Sequence, residues 1–263
     1  MHHLIRTDLE AVVGVDSFTQ TRAGDSTKSE KDPAMRQLAR EVNACVEGIR
    51  DVDPDATISV WDQHGSGGLY REDIEGATYK RDGDSIPEYG EADAKYDVGQ
   101  HAMAGTVNAP LRHTYSSRSV DYYKLNGTFV GEFGGRALLA GQRGLPTVFL
   151  SGDDKACHEA EMFVSEIETV TTKFGTGEES AEHRDVDTVL EEIRETAAKA
   201  ATRYDEIPPF TGLQPPYELI VRYYDPIDDQ SMPDAENVDR VDSRTIAVRG
   251  DDLMDVHGEE GRL

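Results

Sequence analysis

The segment Thr57-Ile58-Ser59-Val60-Trp61-Asp62-Gln63-His64 decides the fold of this chain. Its first five residues are mostly β-branched or apolar and predict a short buried strand, which polar residues follow directly. The same order recurs at residues 4–10, which end at Asp8-Leu9-Glu10, and at residues 94–101, which end at Gly99-Gln100-His101. Because such strands alternate with helical segments, the sequence predicts an α/β fold whose mostly parallel sheet is flanked by helices.

Helices and further strands complete this arrangement. Apolar residues recur at helical spacing from Ala34 to Ile49, and Asp32-Pro33 predicts the start of that helix. Asn126-Gly127 predicts a hairpin between extended segments. Other predicted elements are extended segments at 115–120, 121–125 and 128–130, a small-residue helix at 133–142, strands at 146–150 and 169–173, a helix at 180–204, strands at 217–223 and 245–248, and a terminal helix at 251–256.

The composition changes near Gly175, and we predict a division of the chain there. Residues 1–175 form an α/β core with the functional site, and residues 176–263 form a smaller C-terminal α+β segment. Whether that segment is a separate domain stays open from sequence. Residues 16–33 and 65–90 are polar and rich in turn-forming residues, so they are predicted surface loops.

The chain carries a large excess of negative charge. Among its 263 residues, 52 acids face 27 bases, which gives a formal net charge of −25. Nucleic acids and anionic membranes bind cationic surfaces, so neither is an expected partner. Only eight of the bases are lysines. This pattern favours a protein kept soluble in concentrated salt, where screening acts within about 3 Å at 1 M and repulsion costs little. An ordinary acidic protein is the alternative.

The sequence also bears on compartment. No apolar run approaches the length of about 18 residues that a membrane span needs, and the N-terminus lacks the pattern of a secretory signal. Two cysteines, Cys45 and Cys157, lie at apolar positions of predicted helices and cannot build a disulfide framework. We therefore expect a cytoplasmic protein whose cysteines pack in the core.

Five side chains that follow predicted strands carry groups that bind divalent metals. In open α/β sheets, ligands bind outside the carboxyl ends of the strands, and residues separated by one, such as Asp8 and Glu10, point the same way. Carboxylates and imidazoles bind zinc or a similar ion, and this set is large enough for two ions. The structural alternative is that these acids are solvated and the histidines serve packing. The five candidates are Asp8, Glu10, His64, His101 and Glu132.

Six short motifs in a fixed order make the chain similar to a known family. No one of them is specific, whereas the ordered set across residues 4–175 resembles the zinc-dependent D-aminopeptidases of the DppA type, here as an acidic, haloarchaeal-like member. The motifs are Asp8-Leu9-Glu10, Asp62-Gln63-His64, Gly99-Gln100-His101, Arg112-His113, Gly131-Glu132 and Gly152-Asp153-Asp154.

The resemblance implies roles for these positions. The five strand-end residues match the family's zinc ligands, with Asp8 at the position that bridges two ions, and His113 matches the catalytic histidine, as nucleophile or acid–base group. It implies two zinc ions per chain, release of N-terminal D-residues from short peptides, and a ring-like homo-oligomer such as a decamer. Ala11 and Gln63 depart from the family pattern, which usually has Gly and Ser there.

Two other interpretations stay open at this point. A different two-metal hydrolase, such as a phosphoesterase, would use the same ligands. The acidic composition and the absence of an arginine cluster near the ligands in sequence disfavour anionic substrates. A non-catalytic metal-binding protein or oligomeric scaffold would keep the ligands and tolerate loss of His113. The choice between D and L residues depends on pocket shape, which sequence does not disclose.

Overall fold

The computed structural model describes residues 1–22, 28–81, 91–228 and 235–257. Within these ranges the strands are β1 (His2–Thr7), β2 (Thr57–Asp62), β3 (Thr78–Lys80), β4 (Ala94–Gln100), β5 (Val120–Leu125), β6 (Thr128–Val130), β7 (Thr147–Asp153), β8 (Glu168–Gly177), β9 (Ser180–His183), β10 (Tyr217–Tyr223), β11 (Val238–Asp242) and β12 (Thr245–Gly250). The helices are α1 (Lys28–Val52), α2 (Glu132–Gln142), α3 (Asp154–Phe163), α4 (Val186–Thr202) and α5 (Leu253–His257).

A largely parallel sheet of seven strands forms the centre of the molecule. Its order is β3-β2-β1-β4-β7-β8-β9, and among these described strands only β9 pairs antiparallel, at the edge. β4 and β7 are buried along their whole length, as expected for parallel strands with both faces covered. The predicted α/β fold with a mostly parallel sheet flanked by helices is therefore confirmed.

Alternate side chains of β1 enter two hydrophobic clusters, because successive residues of a strand point to opposite faces. Ile5 packs in the cluster that contains residues of α1 and α4, whereas Leu4 packs with Trp61 in a cluster shared with a second sheet. Helices α1 and α4 lie close together at Gly48. A Cβ at that position would stand 2.1 Å from the carbonyl oxygen of Arg194, so the contact requires glycine.

The second sheet is antiparallel, with the order β11-β12-β10-β5-β6. The predicted hairpin at Asn126-Gly127 is present, and its strand β5 pairs with β10, where Leu125 lies opposite Leu219. Strands from residues 120–130 and 217–250 thus share one sheet although they lie on opposite sides of residue 175. The sheets do not follow the predicted division of the chain, which stays a prediction.

Three local predictions were wrong. Helix α1 begins at Lys28, so Pro33 lies in its second turn, where only one hydrogen bond to the helix start is lost. Residues 180–183 form strand β9 against β8, and α4 starts later because Asp185 caps it by accepting a hydrogen bond from Thr188 N at 3.0 Å. Residues 115–119 are irregular rather than extended.

Both predicted loops extend beyond the described residues. Residues 23–27 and 82–90 lie outside them, and the described part of 65–90 contains the short strand β3, which the sequence analysis did not predict. Cys45 and Cys157 are free thiols buried in the core, as expected. In the described part of the chain, no helix has both the length and the apolarity for a membrane span.

Candidate metal centre

Several predicted site residues lie at the carboxyl edge of the parallel sheet. Asp8 follows β1, His64 lies two residues beyond β2, and His101 follows β4. The segment after β1 turns onto the end of β4, because Asp8 N donates to Val98 O at 2.9 Å and Ala11 N donates to Gly99 O at 3.0 Å. These bonds bring two neighbouring strand ends into one site.

Gly99 allows this close approach. Its φ is +80°, and a Cβ there would lie 2.2 Å from the carbonyl oxygen of Asp8. A side chain would therefore meet both backbone strain and a steric clash. The glycine of the motif Gly99-Gln100-His101 thus lets the end of β4 pass directly beside Asp8.

The side chains form two groups that touch. The candidate ligand atoms of Asp8, Glu10 and His64 lie within 4.8 Å of one another, and those of His101, His113 and Glu132 do the same. His101 joins the groups, because its Nε2 lies 3.4 Å from Asp8 Oδ2 and 3.5 Å from Glu132 Oε1. The fold therefore brings together all six residues that the sequence analysis named.

The three imidazoles share one orientation. Nδ1 lies 3.2 Å from Gly67 O in His64, 2.9 Å from Ala102 O in His101 and 2.8 Å from Leu111 O in His113. A carbonyl oxygen only accepts hydrogen bonds, so we assign the proton to Nδ1 in each neutral ring. In that neutral form the Nε2 lone pair points into the group of carboxylates, where it would be available to a metal ion. A hydrogen bond from the other ring nitrogen to a carbonyl is how metal-ligating histidines are oriented.

Buried atoms within the cluster also fit a bound cation. His101 Nε2 and Glu10 Oε2 are buried and have no hydrogen-bond partner among the residues that the structure describes. Leaving such atoms unpaired costs free energy, and three carboxylates in one buried site repel one another. A divalent cation would satisfy both atoms and offset the repulsion, and nitrogen and carboxylate ligands suit zinc. The residues therefore fit the metal that the resemblance implies.

The site holds its groups in unusual protonation states. Burial and the neighbouring Glu10 raise the pKa of Asp8 to about 7. Burial opposes the charged form of His64, but the adjacent Glu10 outweighs it and raises the pKa of His64 to about 9. Burial and the nearby His101 lower the pKa of His113 to about 4, so that imidazole is neutral near pH 7.

His113 reaches the cluster from a loop, residues 108–119, rather than from a strand end. Its ring stacks on His101 with centroids 3.9 Å apart, and its Nε2 lies 3.7 Å from Glu132 Oε1. Leu111 and Tyr115, on either side, adopt φ values of +53° and +59°. Such conformations are strained and persist only where surrounding contacts hold them. Here Tyr115 N donates to Glu132 Oε1 at 2.9 Å.

Other buried polar residues hold the ligand segments in place. Lys173 Nζ donates to Glu10 O at 2.6 Å, to Val12 O at 3.4 Å and to Val15 O. Glu41 Oε1 accepts from Val13 N at 2.9 Å. Together they hold the turn after β1. Sequence analysis did not identify these residues, because a buried lysine or glutamate has no distinguishing local pattern.

A pocket of about 220 Å³ opens onto the cluster, and three arginines line it: Arg22, Arg118 and Arg136. The expectation that no arginines cluster near the ligands was wrong, because these arginines lie far apart in the chain and meet only in the fold. Arg136 alone had a local signal. It lies four residues after Glu132 on α2, and its Nη1 contacts Glu132 Oε2 at 2.9 Å.

A buried group of carboxylates and imidazoles at this edge of an α/β sheet is the kind of site that metal-dependent hydrolases use. A family model described as D-aminopeptidase, of the peptidase family M55, matches residues 1–258. The chain therefore belongs to the D-aminopeptidase family.

Comparison with solved structures supports the same fold. The zinc-dependent D-aminopeptidase DppA from Bacillus subtilis, described as a self-compartmentalizing protease, superposes with a TM-score of 0.83. The two chains are 19% identical, and the match covers 97% of this chain and 93% of DppA. No curated protein matches this chain in sequence.

Proposed function

We propose that this protein is a cytoplasmic dinuclear zinc aminopeptidase that removes N-terminal residues, D-amino acids above all, from short peptides. The observation that carries the proposal is the shared orientation of three imidazoles, whose Nδ1 atoms face backbone carbonyls while Nε2 faces buried carboxylates. Membership of the D-aminopeptidase family supports the reaction class. The pocket beside the cluster supplies room for a small substrate.

The arrangement suggests a division of roles. Glu10 with His64 and Glu132 with His101 would hold one zinc ion each, and Asp8 lies between the two groups and would serve both. Bound zinc would polarise the scissile carbonyl and activate water. His113 is neutral and has its Nε2 on the cluster side. It would take a proton from the attacking water and pass it to the amine nitrogen as the peptide C–N bond breaks.

The alternatives make different demands on the same residues. A phosphoesterase would use the ligands and the arginine-lined pocket, but family membership favours peptide hydrolysis over phosphate ester hydrolysis. A metal-binding scaffold would not need a neutral histidine held over the cluster by strained backbone. We therefore retain the aminopeptidase as the proposal.

Metal content and peptide hydrolysis, measured on the same preparation, test the proposal. We expect about two zinc ions per chain after zinc reconstitution, as in other two-metal hydrolases, and release of alanine from D-alanyl peptides faster than from L-alanyl peptides. Chelation should abolish hydrolysis, and added zinc should restore it. Less than about half an equivalent of zinc, against the two of such sites, would contradict the metal assignment. Full metal content without hydrolysis would favour the scaffold.

We also propose a ring-like homo-oligomer, such as a decamer, that assembles in concentrated salt. DppA, which shares the fold, is described as self-compartmentalizing. A net charge of −25 per chain would push subunits apart at low ionic strength, and salt screens that repulsion. Light scattering across a salt titration should show assembly as salt rises. A particle of 29.0 kDa, the mass of one chain, at high salt would contradict the oligomer.

A further inference from the structure

One wall of the pocket carries two arginines that the proposed zinc chemistry does not use. Arg22 and Arg118 line the same pocket as five of the site residues, namely Asp8, Glu10, His64, His113 and Glu132. We propose that their guanidinium groups bind a carboxylate of the substrate, supplied by the C-terminus of a dipeptide. This inference rests on the proposed function and adds the feature that selects the substrate.

Neighbouring side chains hold Arg22 in position on this wall. Its Nε donates to Ser117 Oγ at 3.0 Å and its Nη2 donates to Ser117 O at 3.4 Å. Its Cζ stacks 3.3 Å from the ring centre of Phe18, whose ring in turn packs edge-on against His113 at 6.3 Å. Arg118 follows Ser117 in the chain. Both arginines therefore belong to the side of the pocket that carries His113.

The charge of this wall contrasts with the rest of the molecule. The chain has a net charge of −25, yet this pocket has as many arginines as acids among its lining residues. Arg136 is buried against Glu132, whereas Arg22 is only half buried and Arg118 is exposed. Lys31 lies close by, with its Nζ 2.6 Å from Ser66 Oγ, and Ser66 also lines the pocket. An anionic group is the expected occupant of such a wall.

A carboxylate suits these groups and this space. The planar guanidinium fork matches a carboxylate in two parallel hydrogen bonds, and such charge-assisted bonds are strong and directional. The pocket volume of about 220 Å³ lies below the range of about 300–1,000 Å³ typical of sites for larger ligands. An extended dipeptide spans about 7 Å. With its scissile bond beside His113, its terminal carboxylate would reach the arginine wall, whereas a longer peptide would place an uncharged amide there.

Kinetics on a matched pair of substrates test this inference. We compare D-alanyl-L-alanine with its C-terminal amide, using the zinc-loaded wild type and the variants Arg118→Gln, Arg22→Gln and Arg22→Lys. We expect the free acid to have a KM about 10- to 100-fold lower than the amide, the range for a charge-assisted hydrogen bond. The Gln variants should lose that preference through KM, and kcat should change less than about threefold, since ground-state binding is what they remove.

A matched control removes the same charge elsewhere. Arg36→Gln alters an arginine whose side chain is 63% exposed and paired with Asp73, and Arg36 does not line the pocket. It should keep the preference for the free acid. Arg118→Gln serves if Arg22 variants are unstable, because Arg118 lies exposed at the surface.

A binding measurement separates failure of this inference from failure of the proposed function. The probe is a dipeptide analogue whose scissile C=O is replaced by CH₂, with either a terminal carboxylate or a terminal amide, studied by calorimetry. Tighter binding of the carboxylate form, lost in Arg118→Gln, supports the inference even if no peptide is hydrolysed. Equal binding of both forms overturns it, and so does measurable hydrolysis of acid and amide with the same KM. Preference for D-glutamyl-alaninamide over D-alanyl-alaninamide, without preference for the free terminus, overturns the assignment to the C-terminus.

Discussion

Two regions build the candidate site in different ways. The strand ends at Asp8, His64 and His101 place side chains where parallel strands meet at one edge of the sheet. The loop at residues 108–119 places His113 through strained backbone and through bonds to α2. Strand order brings the first region to one edge of the sheet, and Lys173 and Glu41 hold its turn after β1, whereas the second region has no strand to place it. The two regions should therefore respond differently to substitution.

Replacing Asp8 should produce the largest effect. Asp8→Ala removes the carboxylate that lies between the two ligand groups, so zinc content should fall by more than for any other ligand variant. Activity should fall at least about 10³-fold, because metal ions supply several kcal/mol of transition-state stabilisation. Elemental analysis and peptide hydrolysis measure both effects. Asp187→Ala, at a side chain that is 91% exposed, is the control. Full zinc content in Asp8→Ala would contradict the bridging role.

Replacing His113 should separate the loop from the strand ends. His113→Ala should keep both zinc ions and the assembly state but lower kcat at least about 10²-fold, the lower end for a general acid–base group. The control is His158→Ala, at a side chain that is 75% exposed.

Two outcomes of the His113→Ala experiment would contradict this prediction. Loss of zinc together with activity would indicate that His113 is a metal ligand. Its position allows that role, because its candidate ligand atom lies within 4.8 Å of those of His101 and Glu132. Unchanged activity would remove His113 from the mechanism.

Replacing Lys173 should show how far the strand-end region depends on its support. Lys173→Met keeps a stem of similar length but leaves the carbonyls of Glu10 and Val12 without their buried donor. We expect a loss of about 3 kcal/mol in the free energy of unfolding and about tenfold weaker zinc binding. Denaturant titration measures the free energy of unfolding, and competition with a zinc chelator measures the zinc affinity. Lys199→Met, at a 59% exposed side chain, should cost under about 1 kcal/mol. Equal effects of both variants would contradict the supporting role.

The smallest expected effect is a change in the slope of the unfolding free energy with pH. Burial raises the pKa of Glu41 from its ordinary value of 4.5 to about 7. Between these two pH values the folded state keeps the proton of the Glu41 carboxyl, whereas the unfolded state has lost it. The resulting stability is fully present below about pH 4.5 and is lost as pH rises to about 7, by at most about 1.4 kcal/mol per pH unit.

Glu41→Gln cannot ionise, so its unfolding free energy should fall less steeply than that of the wild type over this pH range. Gln at this position keeps an oxygen that can accept from Val13 N and Gln37 Nε2. Denaturant titrations at several pH values measure the slope. Glu47→Gln, at a 60% exposed side chain, should leave it unchanged. Parallel slopes for wild type and Glu41→Gln would show that Glu41 does not carry this dependence.

Sequence-based prediction worked best for elements with strong local patterns. The buried strands at residues 57–62 and 94–100 are confirmed. They were predictable because a short β-branched or apolar run that ends in polar residues is typical of a buried strand. Prediction failed at Ser180–His183, where pairing with β8 overrides the helical pattern of the following residues. The start of α1 was misplaced because Pro33 lies inside the helix, which begins five residues earlier, rather than at the first position that proline prefers.

By itself, the sequence determined the α/β class, the ordered motifs of the family and which side chains follow the strands as candidate ligands. These depend on side-chain periodicity and on residues that follow strands, both of which are local properties. Only the tertiary structure decided that β5 and β6 join β10 to β12, that Lys173 and Glu41 hold the turn after β1, and that Arg22 and Arg118 share a pocket wall. Each of these joins residues tens to more than a hundred positions apart, and such contacts leave no pattern in the sequence of either partner.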